Sequence, residues 1–464
     1  MTEQNTIPAQ YDIRQQIFCL NLASSIVAGI KNENAQASSL QEEAATRLNA
    51  LLTNERVQEL IGRWGVVWGP AVYQFDGDEI QSMYADSVMY IAKSEDSEQS
   101  DHYVIAIAGT NPQSWYGWIV QDFWVFQTKL WNEGRPWRSN GDQTTPGMRV
   151  SAGTSTGLKI LLEDMRYEGY SLLDYLGNIM GEASRPVTIT LCGHSLGGAL
   201  SATLALSLMY QQEIWDKNKM ATLKVSPSAG PSPGNDLFAA DYDTKLGDVT
   251  ERIWHDLDFV PHAWEEDALE ETRTFYNPDI KTTASINLFV NLAKKLSKGS
   301  DVTYQQICSQ QDGFPSQFTF SELEEECKSD NLNVDDFSKL TGKLILPSIK
   351  KNPTPDEIDT LSEIIKPLIK ELITKSKSSS LSDEKIKTSV NQCQEKIKGA
   401  FSSTEISESK SLDVIIHLRD FIDSLFTYLS HAGCQHSEPY HRYMKVDDFV
   451  EQLERIQEEY NSRG

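Results

Sequence analysis
The chain of 464 residues carries 67 acidic and 42 basic side chains, a formal net charge of −25 at pH 7. That length can bury a large core or hold one catalytic domain plus a substantial accessory region. The charge argues against nucleic-acid binding and against electrostatic capture by an anionic membrane, so a lipid surface would have to be gripped by apolar contacts.

Six cysteines, Cys19, Cys192, Cys308, Cys327, Cys393 and Cys434, are scattered without a C-x-x-C pair or a disulfide framework, and read as mostly reduced thiols. Met1 to Gln10 is polar, with Glu3 where a secretory signal carries a basic residue, and the apolar stretch Phe18 to Ile30 is broken by Asn21, Ser24 and Ser25. Neither a signal core nor a bilayer span is read there. Cytoplasmic residence is the default expectation and signal-independent export the alternative.

From Tyr11 to about Arg63, apolar residues such as Ile13, Ile17, Leu20, Leu48, Leu51, Leu52 and Leu60 recur mostly at helical steps, a segment explained by packing. The period then changes. Val66 to Gln74 and Ser82 to Ala92 are rich in Val, Ile, Tyr and Met and predict strands. Tyr103 to Ala108 predicts a buried strand ending at Gly109-Thr110, which places a backbone N–H and a hydroxyl at the carboxyl edge of a sheet, where sites of open α/β sheets form. An aromatic load follows at once: Trp115, Trp118, Phe123, Trp124 and Phe126.

The chain is organised around Pro186 to Leu200. An apolar β-rich run, Val187 to Cys192, leads into Gly193-His194-Ser195-Leu196-Gly197 and then into the helix-favouring run Ala199 to Met209. This strand, turn and helix match G-x-S-x-G, in which a serine is thrust out on a strained turn and glycines on either side relieve the crowding. The helix N-terminus then points free N–H groups at charge developing beside Ser195. An ordinary serine in a glycine-rich turn is the bland alternative, and a base, an acid and an oxyanion hole are needed to decide.

The blocks Ile107 to Trp115, Trp118 to Phe123 and Gly193 to Ala199 together resemble the class 3, or fungal-type, lipases of the α/β-hydrolase fold. The resemblance implies a mixed, mostly parallel α/β sheet flanked by helices, and an oxyanion hole from the N–H groups of Thr110 and Leu196. It also makes Asn111 to about Phe126 a lid bearing Trp115, Trp118, Phe123 and Trp124, against the general expectation that such a stripe is core. The family usually has arginine where this chain has Ala108, a departure that loses a structural contact and no catalytic group. Met148 to Arg166 resembles the small strand and helix before the elbow, and Leu223 to Ser226 the strand after it.

The family's acid lies in an Asp-apolar-Val-Pro sequence, which selects Asp258 in Asp258-Phe259-Val260-Pro261, with Asp256 as competitor. Its base sits on a late loop as His-Ser with an aromatic shortly after, which best suits His436 with Tyr440, His431 and His441 remaining open. His417 falls in a helical stripe and reads as structural. From about Asp267 to Thr427 the chain departs from the pattern: a Lys/Glu/Ser-rich tract has helical spacing at Ile286 to Leu296, Ile358 to Ile373 and Leu412 to Leu429, with Pro367 expected to start or kink its helix. This helical insertion is either a cap over the substrate site or a docking module for a protein partner.

The resulting division is an N-terminal helical segment at 1–64, an α/β-hydrolase core at 65–266, the insertion at 267–427, and a return carrying the base at 428–464. The expected activity is a cofactor-free and metal-free serine hydrolase, Ser195-His436-Asp258, cleaving lipid esters as a triacylglycerol lipase or A1-type phospholipase that meets a lipid interface through its lid. A non-catalytic lipase-like interaction protein and a toxin-like phospholipase exported without a signal peptide are the alternatives.

Overall fold
The computed structural model describes residues 9–28, 30, 37–75, 84–96, 100–109, 125–140, 145–298, 302–315, 334–350, 353–377, 383–401 and 417–462. Three helices lead in: α1 (Ile13–Ala23), α2 (Ala37–Leu52) and α3 (Glu55–Ile61). Asp12 and Gln15 open α1 with a reciprocal capping box, each side chain accepting the other's backbone N–H, which satisfies two donors a helix start otherwise leaves orphaned. Asn54 caps α3, and Gly62, at φ 75°, ends it in a conformation that favours glycine.

The central sheet follows. Strands β1 (Trp64–Tyr73), β2 (Ser87–Ser94) and β3 (Asp101–Ile107) form an antiparallel meander. After β4 (Thr128–Leu130), β5 (Arg149–Ser151), α4 (Ala152–Lys159) and α5 (Leu172–Glu182), strand β6 (Val187–His194) joins β3 in parallel. Helix α6 (Leu196–Tyr210) then crosses to β7 (Ala221–Ser228), parallel to β6, so the order is β1-β2-β3-β6-β7. Single parallel bridges, Val225 to Thr250 and Ser228 to Ile253, continue the parallel side of the sheet. The carboxyl half is thus parallel and the leading half antiparallel.

The two-residue period of the strands divides the core. Met89, Ile91, Tyr103, Ile105, Ile107, Ile189 and Leu191 pack on one face with α4, α5 and α6. Val88, Tyr90, Ala92, Val104, Ala106 and Cys192 pack on the other with α1, α2 and α3. Helix α6 is buried along nearly its whole circumference, which its sequence of Leu, Ala, Gly, Ser and Thr permits because the hydroxyls bond back to carbonyls, Ser201 to Gly198 at 3.0 Å and Ser207 to Gly134 at 2.7 Å.

Beyond β7 come β8 (Gly234–Asn235), α7 (Asp236–Leu246), α8 (Glu266–Glu271), α9 (Ala284–Lys298) and β9 (Tyr304–Gln305), with β4, β5, β8 and β9 forming a small second sheet. Helices α10 (Val334–Ile349), α11 (Pro355–Lys377) and α12 (Asp383–Ala400) lie in the tract read as an insertion. Leu361, Ile365, Leu368 and Ile369 of α11 and Ile386 and Ile397 of α12 are buried in the same core as the sheet face bearing α6. Helix α11 runs across Pro367 instead of starting there; the residue is exposed, so the carbonyl deprived of its donor can turn to water.

The chain ends with α13 (Leu418–Gln435), α14 (Glu438–Met444) and α15 (Asp447–Asn461). Helix α13 crosses residue 427 unbroken, and His417 is an exposed residue at its N-terminus, outside the buried stripe; Leu412 to Ile416 lie outside the described residues. Tyr440, Met444, Phe449 and Ile456 return to the sheet face covered by α1 to α3. Cys19, Cys192, Cys308 and Cys393 are free and buried, in line with mostly reduced thiols, and Cys434 is disulfide-bonded. Among the described residues, no helix is long and apolar enough to cross a membrane.

Candidate active site
Strand β6 hands the chain to α6 through Ser195, whose φ of 60° and ψ of −126° lie outside the regions that L-residues favour. The surroundings hold it there. Its N–H donates to the carbonyl of Ser228 at the end of β7, 3.0 Å away. A Cβ on Gly193 would run into the carbonyl of Gly197, and one on Gly197 into the carbonyl of Ile107, so the turn closes only with glycine at both positions. Leu196 is the first residue of α6, where N–H groups have no carbonyl four residues back and the helix dipole is positive.

Parallel pairing of β3 with β6 ends both strands at the same level, Ile107 opposite Gly193. This brings Gly109 against the elbow: a Cβ built on it would sit 3.4 Å from Ser195 Cβ. Thr110, Trp115, Trp118, Phe123 and Trp124 lie outside the described residues.

Asp258 follows a tight turn in which its N–H donates to the carbonyl of His255 at 3.1 Å. Its side chain is 0% exposed. A carboxylate so placed needs donors, and it has three: Val260 N–H reaches Oδ1 at 2.9 Å, while the Tyr440 hydroxyl at 2.7 Å and His436 Nδ1 at 2.8 Å both meet Oδ2. Tyr440 is itself fixed by accepting from the N–H of His255 at 3.2 Å. Asp256 makes no hydrogen bond to a histidine among the described residues, and burial raises its carboxyl above the usual range.

The three histidines left open by the sequence separate cleanly. His436 terminates α13, its N–H donating to Ala432 and Gly433, and is 9% exposed. With Nδ1 committed to Asp258, Nε2 is the ring nitrogen able to take a proton from a hydroxyl. His431 accepts from the Gln435 amide at Nε2, 3.0 Å, and lies edge-on to Tyr276; burial lowers its pKa to about 4. His441 sits edge-on to Phe18 and is likewise pushed down to about 4 by burial.

His194, the residue before Ser195, lies against His436 with ring centroids 4.7 Å apart and edge-on to Tyr440 at 5.0 Å. The elbow and the His436–Asp258 pair therefore meet at one corner, beyond the carboxyl ends of β6 and β7. Sequence reasoning gave no role to His194, Ser228 or Asn21, which hydrogen bonds join in a row beside the elbow. For Asn21 the one signal was a polar side chain inside an apolar run. Among the described residues, no group of three or more His, Cys, Asp or Glu side chains is placed to hold a metal.

Residues 104–267 match the family described as Lipase (class 3). This region belongs to the class 3 lipases. The lipase region contains Gly109, Ser195 and Asp258, and His436 lies beyond it. Among solved structures the chain is similar to M37 lipase, at 26% identity over 70% of this chain and 95% of that one, with a TM-score of 0.55. It also matches lipase from Rhizopus microsporus var. chinensis, at 15% identity over 56% and 75% of the two chains with a TM-score of 0.33. Lipase II from Rhizopus niveus matches at 15% identity over 55% and 76%, with a TM-score of 0.35. No curated protein sequence matches the chain. The fold is that of an α/β hydrolase, and the lipase region carries carboxylic ester hydrolysis on lipid esters as its chemistry.

Proposed function
We propose that the chain cleaves long-chain acylglycerols, or the sn-1 ester of phospholipids, through a Ser195-His436-Asp258 triad and an acyl-enzyme. The observation that carries this reading is the 2.8 Å bond from His436 Nδ1 to buried Asp258, made across 178 residues of sequence at the mouth of the elbow.

In this mechanism His436 Nε2 takes the Ser195 hydroxyl proton as Oγ attacks the ester carbonyl, since neutral serine is too weak a nucleophile alone. Asp258 holds the imidazole tautomer and stabilises the imidazolium. The N–H groups of Leu196 and Thr110 receive the oxyanion, each such donor contributing about 3 kcal/mol to the transition state. The imidazolium then protonates the departing alcohol, and a water deprotonated by His436 releases the fatty acid and restores Ser195.

The test is hydrolysis of p-nitrophenyl butyrate against p-nitrophenyl palmitate in mixed micelles, beside Ser195→Ala. Turnover that favours palmitate, rises once micelles form and vanishes in Ser195→Ala is the expected result. Equal rates on soluble butyrate with no gain from an interface would replace lipase by esterase. A folded protein that turns over neither ester would leave the non-catalytic interaction reading.

The disulfide at Cys434 favours the exported alternative for the place of action, because such bonds persist in oxidising compartments. Alkylation of denatured, unreduced protein is expected to leave the Cys434 peptide unlabelled and to label Cys19, Cys192, Cys308 and Cys393. Labelling of Cys434 would remove this argument and leave the cytoplasmic default.

A further inference from the structure
The last carbonyls of a helix have no donor within it. At the end of α13, the carbonyl of His436 is met from outside: Nε2 of His194 lies 2.8 Å away. A carbonyl only accepts, so Nε2 carries the proton. Packing against His436 and Tyr440 desolvates the His194 ring and pushes its pKa well below the ordinary histidine range, which keeps it neutral and makes Nδ1 an acceptor.

Facing Nδ1 at 3.1 Å is the hydroxyl of Ser228, a residue 0% exposed at the end of β7. That hydroxyl has one proton, for which the Gly193 carbonyl at 3.2 Å competes. The same oxygen accepts from the side-chain amide of Asn21, donating over 3.3 Å from a position 2% exposed in α1. Two links have a fixed direction, Asn21 to Ser228 and His194 to the peptide of His436, and between them the Ser228 proton is shared between Nδ1 of His194 and the Gly193 carbonyl.

We infer that Asn21, Ser228 and His194 are positioning residues, a hydrogen-bonded relay through which the N-terminal helix α1 holds the backbone of His436 at a fixed place relative to Ser195. The inference rests on the proposed role of His436 as base. Its physical force lies in connectivity: His194 is covalently next to the nucleophile, and its bond spans 242 residues to the base. One contact thus ties together the two groups between which the proton must pass. It also gives α1, which lies outside the matched lipase region, a part in the reaction without touching substrate.

The decisive comparison is His194→Asn against His194→Gln, because an asparagine amide reaches about where Nδ1 lies and a glutamine amide about where Nε2 lies. His194→Asn is expected to lower kcat by about 10- to 100-fold with KM little changed, the order of loss that a misplacement near 1 Å brings. His194→Gln is expected to recover most of that loss. Ser228→Ala, which removes the orienting hydroxyl, is expected to lower kcat by roughly 10-fold. Each variant is read by kcat and KM on the preferred ester, by the rate of Ser195 phosphonylation with a fluorophosphonate, and by thermal midpoint.

Equal kcat in His194→Asn and His194→Gln, or a loss lying wholly in KM, overturns the relay while leaving the triad in place. Wild-type turnover in His436→Ala removes the base and the relay together. Should neither His194 variant fold, Ser228→Ala decides: a lower kcat at unchanged KM supports the relay, and an unchanged kcat overturns it.

Discussion

Ser195→Ala and His436→Ala are each expected to lower kcat by about 10⁶-fold, and the double variant by no more than either alone, because nucleophile and base act as one unit. Asp258→Asn is expected to lose less, about 10⁴-fold, since an amide opposite Nδ1 stabilises the wrong imidazole tautomer without moving the ring. The same assay separates the rival histidine. His441 packs against Phe18 and makes no hydrogen bond to Asp258 among the described residues, so His441→Ala is expected to keep turnover of the wild-type order in whatever fraction folds. Active-site titration with a fluorophosphonate supplies the active fraction, so unfolding is not mistaken for lost chemistry. Wild-type turnover in Ser195→Ala would sink the serine mechanism, and additive losses in the double variant would mean that His436 acts elsewhere.

Acid is expected to destabilise the fold strongly between about pH 6.5 and pH 4. Burial lowers the pKa of His255 and His431 from 6.5 to about 4, and that of His102 and His441 to about the same value. A histidine whose folded pKa is depressed leaves the native state with fewer bound protons than the unfolded chain in this window. The stability it contributes is complete above pH 6.5, declines as pH falls through the window, and declines no further below pH 4. For a deeply buried ring the loss is about 3 kcal/mol, against a total stability of about 5–15 kcal/mol, so His255 and His431 alone weigh heavily. Thermal midpoints between pH 8 and pH 4 measure this. A midpoint that stays level from pH 6.5 to pH 4 would show that these rings take up protons in the folded state and are less enclosed than the structure has them.

Much of the frame was readable from the chain because its signals are local. The apolar run Tyr103 to Ile107 and the strand, turn and helix from Val187 depend on residues a few positions apart, and each element appears near where the pattern put it. Gly193 and Gly197 were readable for the same reason: a tight strand-to-helix turn leaves no room for a side chain at either position. The lid aromatics and Thr110 fall outside the described residues and remain expectations of the resemblance. Helix boundaries in the insertion were read less well. Periodicity does not say where a helix begins: the helix expected to start or kink at Pro367 begins at Pro355.

What the sequence by itself determined is the elbow with its flanking strand and helix, the Asp258-Phe259-Val260-Pro261 segment in which the resemblance puts the acid, and a short roster of late histidines. Among those histidines the His-Ser pattern with Tyr440 favoured His436 but left His431 and His441 open, because all three lie within eleven consecutive residues. Tertiary structure gives them different partners by helix phase: α13 turns His431 towards Tyr276 and brings His436, at its end, to Asp258. It likewise decided the partners of His194, Ser228 and Asn21, which the sequence does not name because their hydrogen bonds join α1, β6, β7 and α13 across 207 and 242 residues. Such bonds depend on where the packed sheet and helices come to rest, and local patterning does not encode that.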